Sequence, residues 1–119
     1  MFKVLGRTAG ELVDISVEEK LTPEDFVALR RQLDPLIEEH GKLRLLFDLR
    51  RLDEFEGEAL WDESSFEPHT AVERIALVVP KRHATQATKV FSLGASEMRS
   101  FDPERAEDAW LWLAGNKAA

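Results

Sequence analysis

Leu43-Arg44-Leu45-Leu46-Phe47-Asp48-Leu49 and Ile75-Ala76-Leu77-Val78-Val79 decide the fold. Both are short and mostly apolar. Continuous apolar runs of this length suit central parallel strands, which are covered on both faces. Between them, residues 57–66 carry Ala59, Leu60, Trp61 and Phe66 and predict a short helix. The unit reads as a right-handed strand–helix–strand crossover.

Upstream, residues 2–5 and 12–17 predict two strands. In the second, Val13, Ile15 and Val17 alternate with Leu12, Asp14 and Ser16, so one face is buried. Thr8-Ala9-Gly10-Glu11 fits a hairpin turn, and so short a connection forces antiparallel pairing. Thr22 then opens a helix, with Pro23 where its missing N–H costs nothing and Glu24 and Asp25 at the positive end of the dipole. Phe26, Leu29, Leu33 and Ile37 share one helical face. Pro35 predicts a lost hydrogen bond and a bend, and Gly41 a stop.

Downstream of Pro80, residues 84–92 predict a helix with Ala84, Ala87, Thr88 and Phe91 inward. Glu97–Phe101 is polar enough for an edge strand. Asp102-Pro103 predicts the cap of a last helix whose stripe is Ala106, Ala109, Trp110 and Leu113, with Leu111 and Trp112 facing away. Residues 114–119 read as a fraying tail. The expected fold is a single α/β domain over residues 1–119: an open, mixed, largely parallel sheet that begins with an antiparallel hairpin and carries helices on its faces.

The chain has 119 residues, 16 Lys+Arg against 23 Asp+Glu, a net charge of -7 and no cysteine. Disulfides, thiolate metal sites and a cysteine nucleophile are excluded. The acidic balance argues against nucleic acid and anionic membranes as partners. No apolar run approaches the ~18 residues of a membrane span, and Met1–Arg7 lacks a secretory signal's apolar stretch, so a cytoplasmic protein without integral membrane association is expected. His40, His69 and His83 lack metal-ligand spacing. The chain has neither Gly-x-Ser-x-Gly nor a phosphate-cradling glycine loop. No catalytic residue, metal or cofactor is expected, and the protein reads as a non-enzyme.

Leu21-Thr22-Pro23-Glu24-Asp25-Phe26, then Leu36-Ile37-Glu38-Glu39-His40-Gly41-Lys42-Leu43-Arg44-Leu45-Leu46-Phe47-Asp48-Leu49, resemble the SpoIIAA-like family of small bacterial proteins, also described as STAS or SEC14 domain-containing. Val72–Val78, Phe101-Asp102-Pro103 and Ala109–Leu113 fit its later blocks, so the resemblance runs from about Gly10 to Leu113. It implies the STAS-like α/β fold. In the related anti-sigma-factor antagonists a phosphorylatable serine starts the helix after the strand that here ends at Asp48-Leu49. Counted without gaps, that position is Glu58, beside Gly57, so the resemblance implies a fixed negative charge in place of the phospho-switch serine.

Ligands of open parallel sheets sit outside the carboxyl ends of the strands. Those ends here bring Asp48, Arg50, Lys81 and His83 toward one edge, with Glu58 and Trp61 on the intervening segment. One reading makes them a surface for a protein partner or a small apolar or anionic ligand, with Arg50 and Lys81 as charge contacts and Trp61 as an apolar wall. The plainer reading has Asp48 accepting loop N–H groups, Arg50 pairing with Glu54 or Glu56, and Trp61 in the core. Outward Leu111 and Trp112 predict a homodimer interface. The expected function is a non-enzymatic STAS-like regulatory module acting by contact. The alternative is a SEC14-like carrier of a lipid or other hydrophobic molecule, which needs a deep apolar cavity. Acid–base chemistry at His83 and Asp48 has no support from spacing.

Overall fold

The computed structural model describes residues 2–4, 12–55, 72–91 and 97–115. Along them run β1 (Phe2–Val4), β2 (Leu12–Leu21), α1 (Pro23–His40), β3 (Leu43–Phe55), β4 (Val72–Val78), α2 (Lys81–Phe91), β5 (Glu97–Phe101), a 3-10 turn (Pro103–Arg105) and α3 (Ala106–Ala114). The strands form one sheet in the order β1-β2-β3-β4-β5. β1 pairs antiparallel to β2, and every other neighbouring pair is parallel. The two apolar runs therefore do lie side by side with one heading, as the mixed α/β reading requires.

α1 forms where its sequence says it should. The Thr22 hydroxyl accepts from the Asp25 N–H at 3.1 Å, and the Asp25 carboxylate accepts from the Thr22 N–H at 3.0 Å, closing a reciprocal cap. Pro35 does not stop the helix, which continues to His40; it lies on the exposed side, where water can solvate the carbonyl it leaves unbonded. Gly41 ends the helix at φ 82°, a conformation costly for any residue with a Cβ, and returns its N–H to the Ile37 carbonyl at 2.7 Å.

The two faces of the sheet bury different things. On one, Val13, Ile15, Leu45, Phe47, Leu49, Ile75 and Leu77 pack against Phe26, Leu29, Leu33 and Ile37 of α1 and Ala87, Val90 and Phe91 of α2. Phe47 sits 4.6 Å from Phe91, centroid to centroid, and Phe91 meets Phe26 edge-on at 5.9 Å. On the other face, Leu46, Ala76, Val78 and Phe101 pack against Ala109 and Leu113 of α3.

Several sequence expectations change. β3 does not end at Leu49 but runs to Phe55, paired with a β2 that runs to Leu21 through two register shifts, with Glu19 at φ 64°. α2 begins at Lys81, three residues earlier than predicted. Thr88 is exposed, donating to the Ala84 carbonyl at 2.9 Å, and Val90 takes its place in the core. Asp102 makes no side-chain cap, and the chain first turns as 3-10 helix. Trp112 does not face away: its ring packs 6.1 Å from Phe101, with the Arg74 guanidinium 5.0 Å above it. Leu111 does face away and is 62% exposed. The predicted hairpin turn at 8–11 and the helix at 57–66 lie outside the described residues.

Candidate functional site

Register places one row of residues straight across the sheet: Lys3, Ser16, Asp48, Val78 and Phe101. All five belong to the face that α3 packs on. The row is apolar at β4 and β5, where Val78 and Phe101 join the α3 core, and polar at β1, β2 and β3. Period-2 alternation explains this. Asp14, Ser16, Asp48 and Arg50 occupy the positions opposite to the core-facing Val13, Ile15, Phe47 and Leu49.

The polar half carries an open depression of about 450 Å³ lined by Lys3, Ser16, Glu18, Asp48, Arg50 and Arg51. Two charged pairs frame it. Asp48 grips Arg50 with both oxygens, from Nε to Oδ1 at 2.9 Å and from Nη2 to Oδ2 at 2.6 Å, and Oδ1 also accepts the Arg50 backbone N–H at 3.1 Å. This bidentate geometry fixes the guanidinium plane. Arg51 reaches Glu18 at 3.3 Å across the ladder. Burial pushes the Asp48 carboxyl up, but the Arg50 hydrogen bonds and the charges of Arg50 and Arg51 outweigh it and hold the carboxyl below its ordinary value. Arg50 is pushed up in turn, chiefly by its hydrogen bond to Asp48 and aided by the nearby charges of Asp48 and Asp14. The pair is fully ionised at neutral pH. Asp14 and Ser16 are buried polar residues on the same face, 6% and 9% exposed.

The predicted site residues separate into three groups. Asp48 and Arg50 are together, but on the sheet face within β3, not in a loop after it. The guanidinium of Arg50 is held by Asp48, two residues back. Lys81 lies elsewhere, lining a second depression of about 350 Å³ with Pro80, Asp102, Pro103 and Glu104. His83 is half-buried in the first turn of α2, where its backbone N–H donates to the Pro80 carbonyl at 3.0 Å. Glu58 and Trp61 lie outside the described residues. Sequence reasoning missed Lys3, Ser16, Glu18 and Arg51. The signal was available in the polar half of the alternation at 12–17, once that strand is set beside β3. Among the described residues no group of His, Asp or Glu is arranged to hold a metal ion, and no helix is long and apolar enough to cross a membrane.

A family model described as SpoIIAA-like matches residues 12–114. The chain belongs to the SpoIIAA-like family. No curated protein matches it. Among solved structures it is similar to an uncharacterised protein of the DUF3478 family with a SpoIIAA-like fold from Shewanella loihica PV-4, at 22% identity and a TM-score of 0.67 over 95% of this chain and 94% of that one. It is also similar to the anti-sigma factor antagonist SpoIIAA in its unphosphorylated form, at 18% identity and a TM-score of 0.54 over 91% of this chain and 96% of that one. The SpoIIAA-like fold is thus shared along nearly the whole length.

Proposed function

We propose that this SpoIIAA-like chain is a non-enzymatic regulatory module of the cytoplasm that recognises a protein partner across the open polar half of its sheet face. The observation that supports the reading is the depression framed by Asp48 and Arg50. Asp48 takes the Nε and one Nη2 donor of Arg50 and so orients a guanidinium that lines the depression with Lys3 and Ser16, where a partner's acceptor can meet it. A guanidinium oriented in advance loses little freedom on binding. The fold's occurrence in an anti-sigma factor antagonist favours a protein as the partner. Glu58 and Trp61, which follow β3 in sequence, and Lys81 and His83 at the start of α2 extend the proposed surface. Capture of partners from cell lysate by immobilised protein, compared between wild type and Asp48→Ala/Arg50→Ala, tests the reading. The double variant should keep its circular dichroism and lose the proteins that the wild type retains. The same proteins retained by both would place the surface elsewhere.

The reading includes a two-fold homodimer anchored by Leu111, a large apolar side chain 62% exposed on α3. Light scattering should find the wild type at twice the chain mass and Leu111→Asp at one chain mass. A monomeric wild type removes the dimer.

A further inference from the structure

β4 and β5 are neighbouring parallel strands that end side by side, and just past the end of β4 the Val79 N–H donates to the Phe101 carbonyl at 3.0 Å. From there the two chains part. α2 packs through Ala87, Val90 and Phe91 on the face that α1 covers, whereas α3 packs through Ala109 and Leu113 on the opposite face. Exits that diverge in this way leave a crevice between them, outside the carboxyl ends of their strands. In open α/β sheets that is where ligands sit. The depression of about 350 Å³ lined by Pro80, Lys81, Asp102, Pro103 and Glu104 occupies this place. Its lips are preformed. Pro80 and Pro103 fix the backbone φ on each side. Each lip is also closed by a turn, from the His83 N–H to the Pro80 carbonyl at 3.0 Å and from the Arg105 N–H to the Asp102 carbonyl at 2.8 Å.

The crevice carries charges of both signs that are not paired with each other. Lys81 stands on one lip and Asp102 and Glu104 on the other, all three exposed. Among the described residues none of the three forms an ion pair or a side-chain hydrogen bond. The sheet-face depression differs, since there Asp48 holds Arg50 and Glu18 holds Arg51. Asp102 is the informative residue. It stands at the N-cap of the 3-10 turn, where an aspartate ordinarily accepts a backbone N–H, yet its carboxylate makes no cap and lines the crevice.

We propose that this crevice binds a basic α-amino acid, whose carboxylate meets the Lys81 ammonium and whose two cationic groups meet Asp102 and Glu104. One cation and two anions on the protein are answered by one anion and two cations on the ligand. A dicarboxylate or a phosphate would face the like charges of Asp102 and Glu104. A polyamine would leave Lys81 unanswered, and a divalent cation would find only two carboxylates with an ammonium beside them. The volume lies at the small end of ligand pockets, as so compact a ligand requires. The inference goes beyond the protein-binding reading: its ligand is a small molecule, its site is not the Asp48/Arg50 depression, and either reading can fail alone.

Amide shifts on titrating the full chain with L-arginine at constant ionic strength test it. They should saturate in the millimolar range and centre on Lys81, Arg82, Asp102 and Glu104. Agmatine lacks the carboxylate and L-citrulline lacks the guanidinium charge. Each should bind about fivefold more weakly, the usual effect of losing one exposed ion pair. Lys81→Gln should bind L-arginine and agmatine alike, and Asp102→Asn/Glu104→Gln should bind L-arginine and L-citrulline alike. Both variants alter exposed side chains only, so their urea midpoints should match the wild type's. The inference is overturned by shifts that do not saturate or that centre away from the crevice. Agmatine or L-citrulline binding as tightly as L-arginine overturns it, as does tighter binding of L-glutamate or magnesium, or either variant keeping the wild-type preference.

Discussion

Phe47→Ala should cost about 3–5 kcal/mol of stability, the usual range for removing a fully buried phenylalanine. Small domains hold together by only ~5–15 kcal/mol, so a sizeable part of the total is at stake. Phe47 is 0% exposed and stands on the central strand, where it meets Phe91 of α2 at 4.6 Å and shares a core with the buried stripe of α1. Its described cover comes from α1 and α2, so the cavity closes only by moving a helix. Urea unfolding at neutral pH measures the loss. The internal control is its neighbour. Asp48→Ala, one residue on and facing the opposite side, should cost less than about 1 kcal/mol, because its partner Arg50 is 48% exposed and can return to water. Equal costs at the two positions would contradict the assignment of the faces.

The second large effect belongs to α3. Arg44 and Arg74 are register partners on β3 and β4, and each divides its guanidinium in the same manner. Arg44 gives Nε to Glu73 at 2.9 Å and Nη1 to the carbonyls of Leu113 at 2.8 Å and Ala114 at 3.3 Å. Arg74 gives Nε to Glu97 at 2.9 Å and Nη1 to the Trp112 carbonyl at 2.9 Å. The last carbonyls of a helix have no partner within it and carry its negative end, so two cations there satisfy both needs. The hydrogen bond from Arg44, foremost, and its charge hold the Glu73 carboxyl below its ordinary value despite burial. Arg44→Ala/Arg74→Ala should cost about 3 kcal/mol, from the loss of charge-assisted hydrogen bonds worth ~1.5–3 kcal/mol each. It should also release α3 before the rest of the molecule. Amide exchange in residues 106–114 should accelerate well beyond exchange in α1, and an apolar dye should bind the uncovered Ala76, Val78 and Phe101. Uniform acceleration across all helices would show that the arginines do not act as a local fastening.

The parallel core is readable because Leu43–Leu49 and Ile75–Val79 are short, mostly apolar runs, a pattern that few other elements produce. The reading failed where polarity and geometry part company. Beyond Leu49 the sequence Arg50-Arg51-Leu52-Asp53 looks like a loop, yet it continues as strand, with Leu52 buried and its charged neighbours exposed. A strand with one wet face and a register shift does not alternate cleanly. Read as a loop, this segment would carry Arg50 to a rim beyond the sheet and away from Lys3 and Ser16, whereas as strand it lies on the sheet face with them. The start of α2 departs from its sequence signal for a related reason. Lys81-Arg82-His83 is a poor helix opening by electrostatic rules, so the sequence points to Ala84, whereas the packing of Ala84, Ala87 and Phe91 is enough to carry the helix back to Lys81. Helical angle alone turns Trp112 outward. Angle cannot foresee an arginine from β4 and a phenylalanine from β5 reaching out to flank the ring.

The position of α3 after every strand in the chain has a bearing on synthesis. Among the described residues, a polypeptide emerging from its N-terminus can finish all five strands and sheathe one side of them with α1 and α2 before α3, which packs on the other side, is made. Val78 and Phe101 then wait in water for a helix not yet made. During that interval the nascent molecule is at its stickiest, and a chaperone, or a second growing copy, would find it there.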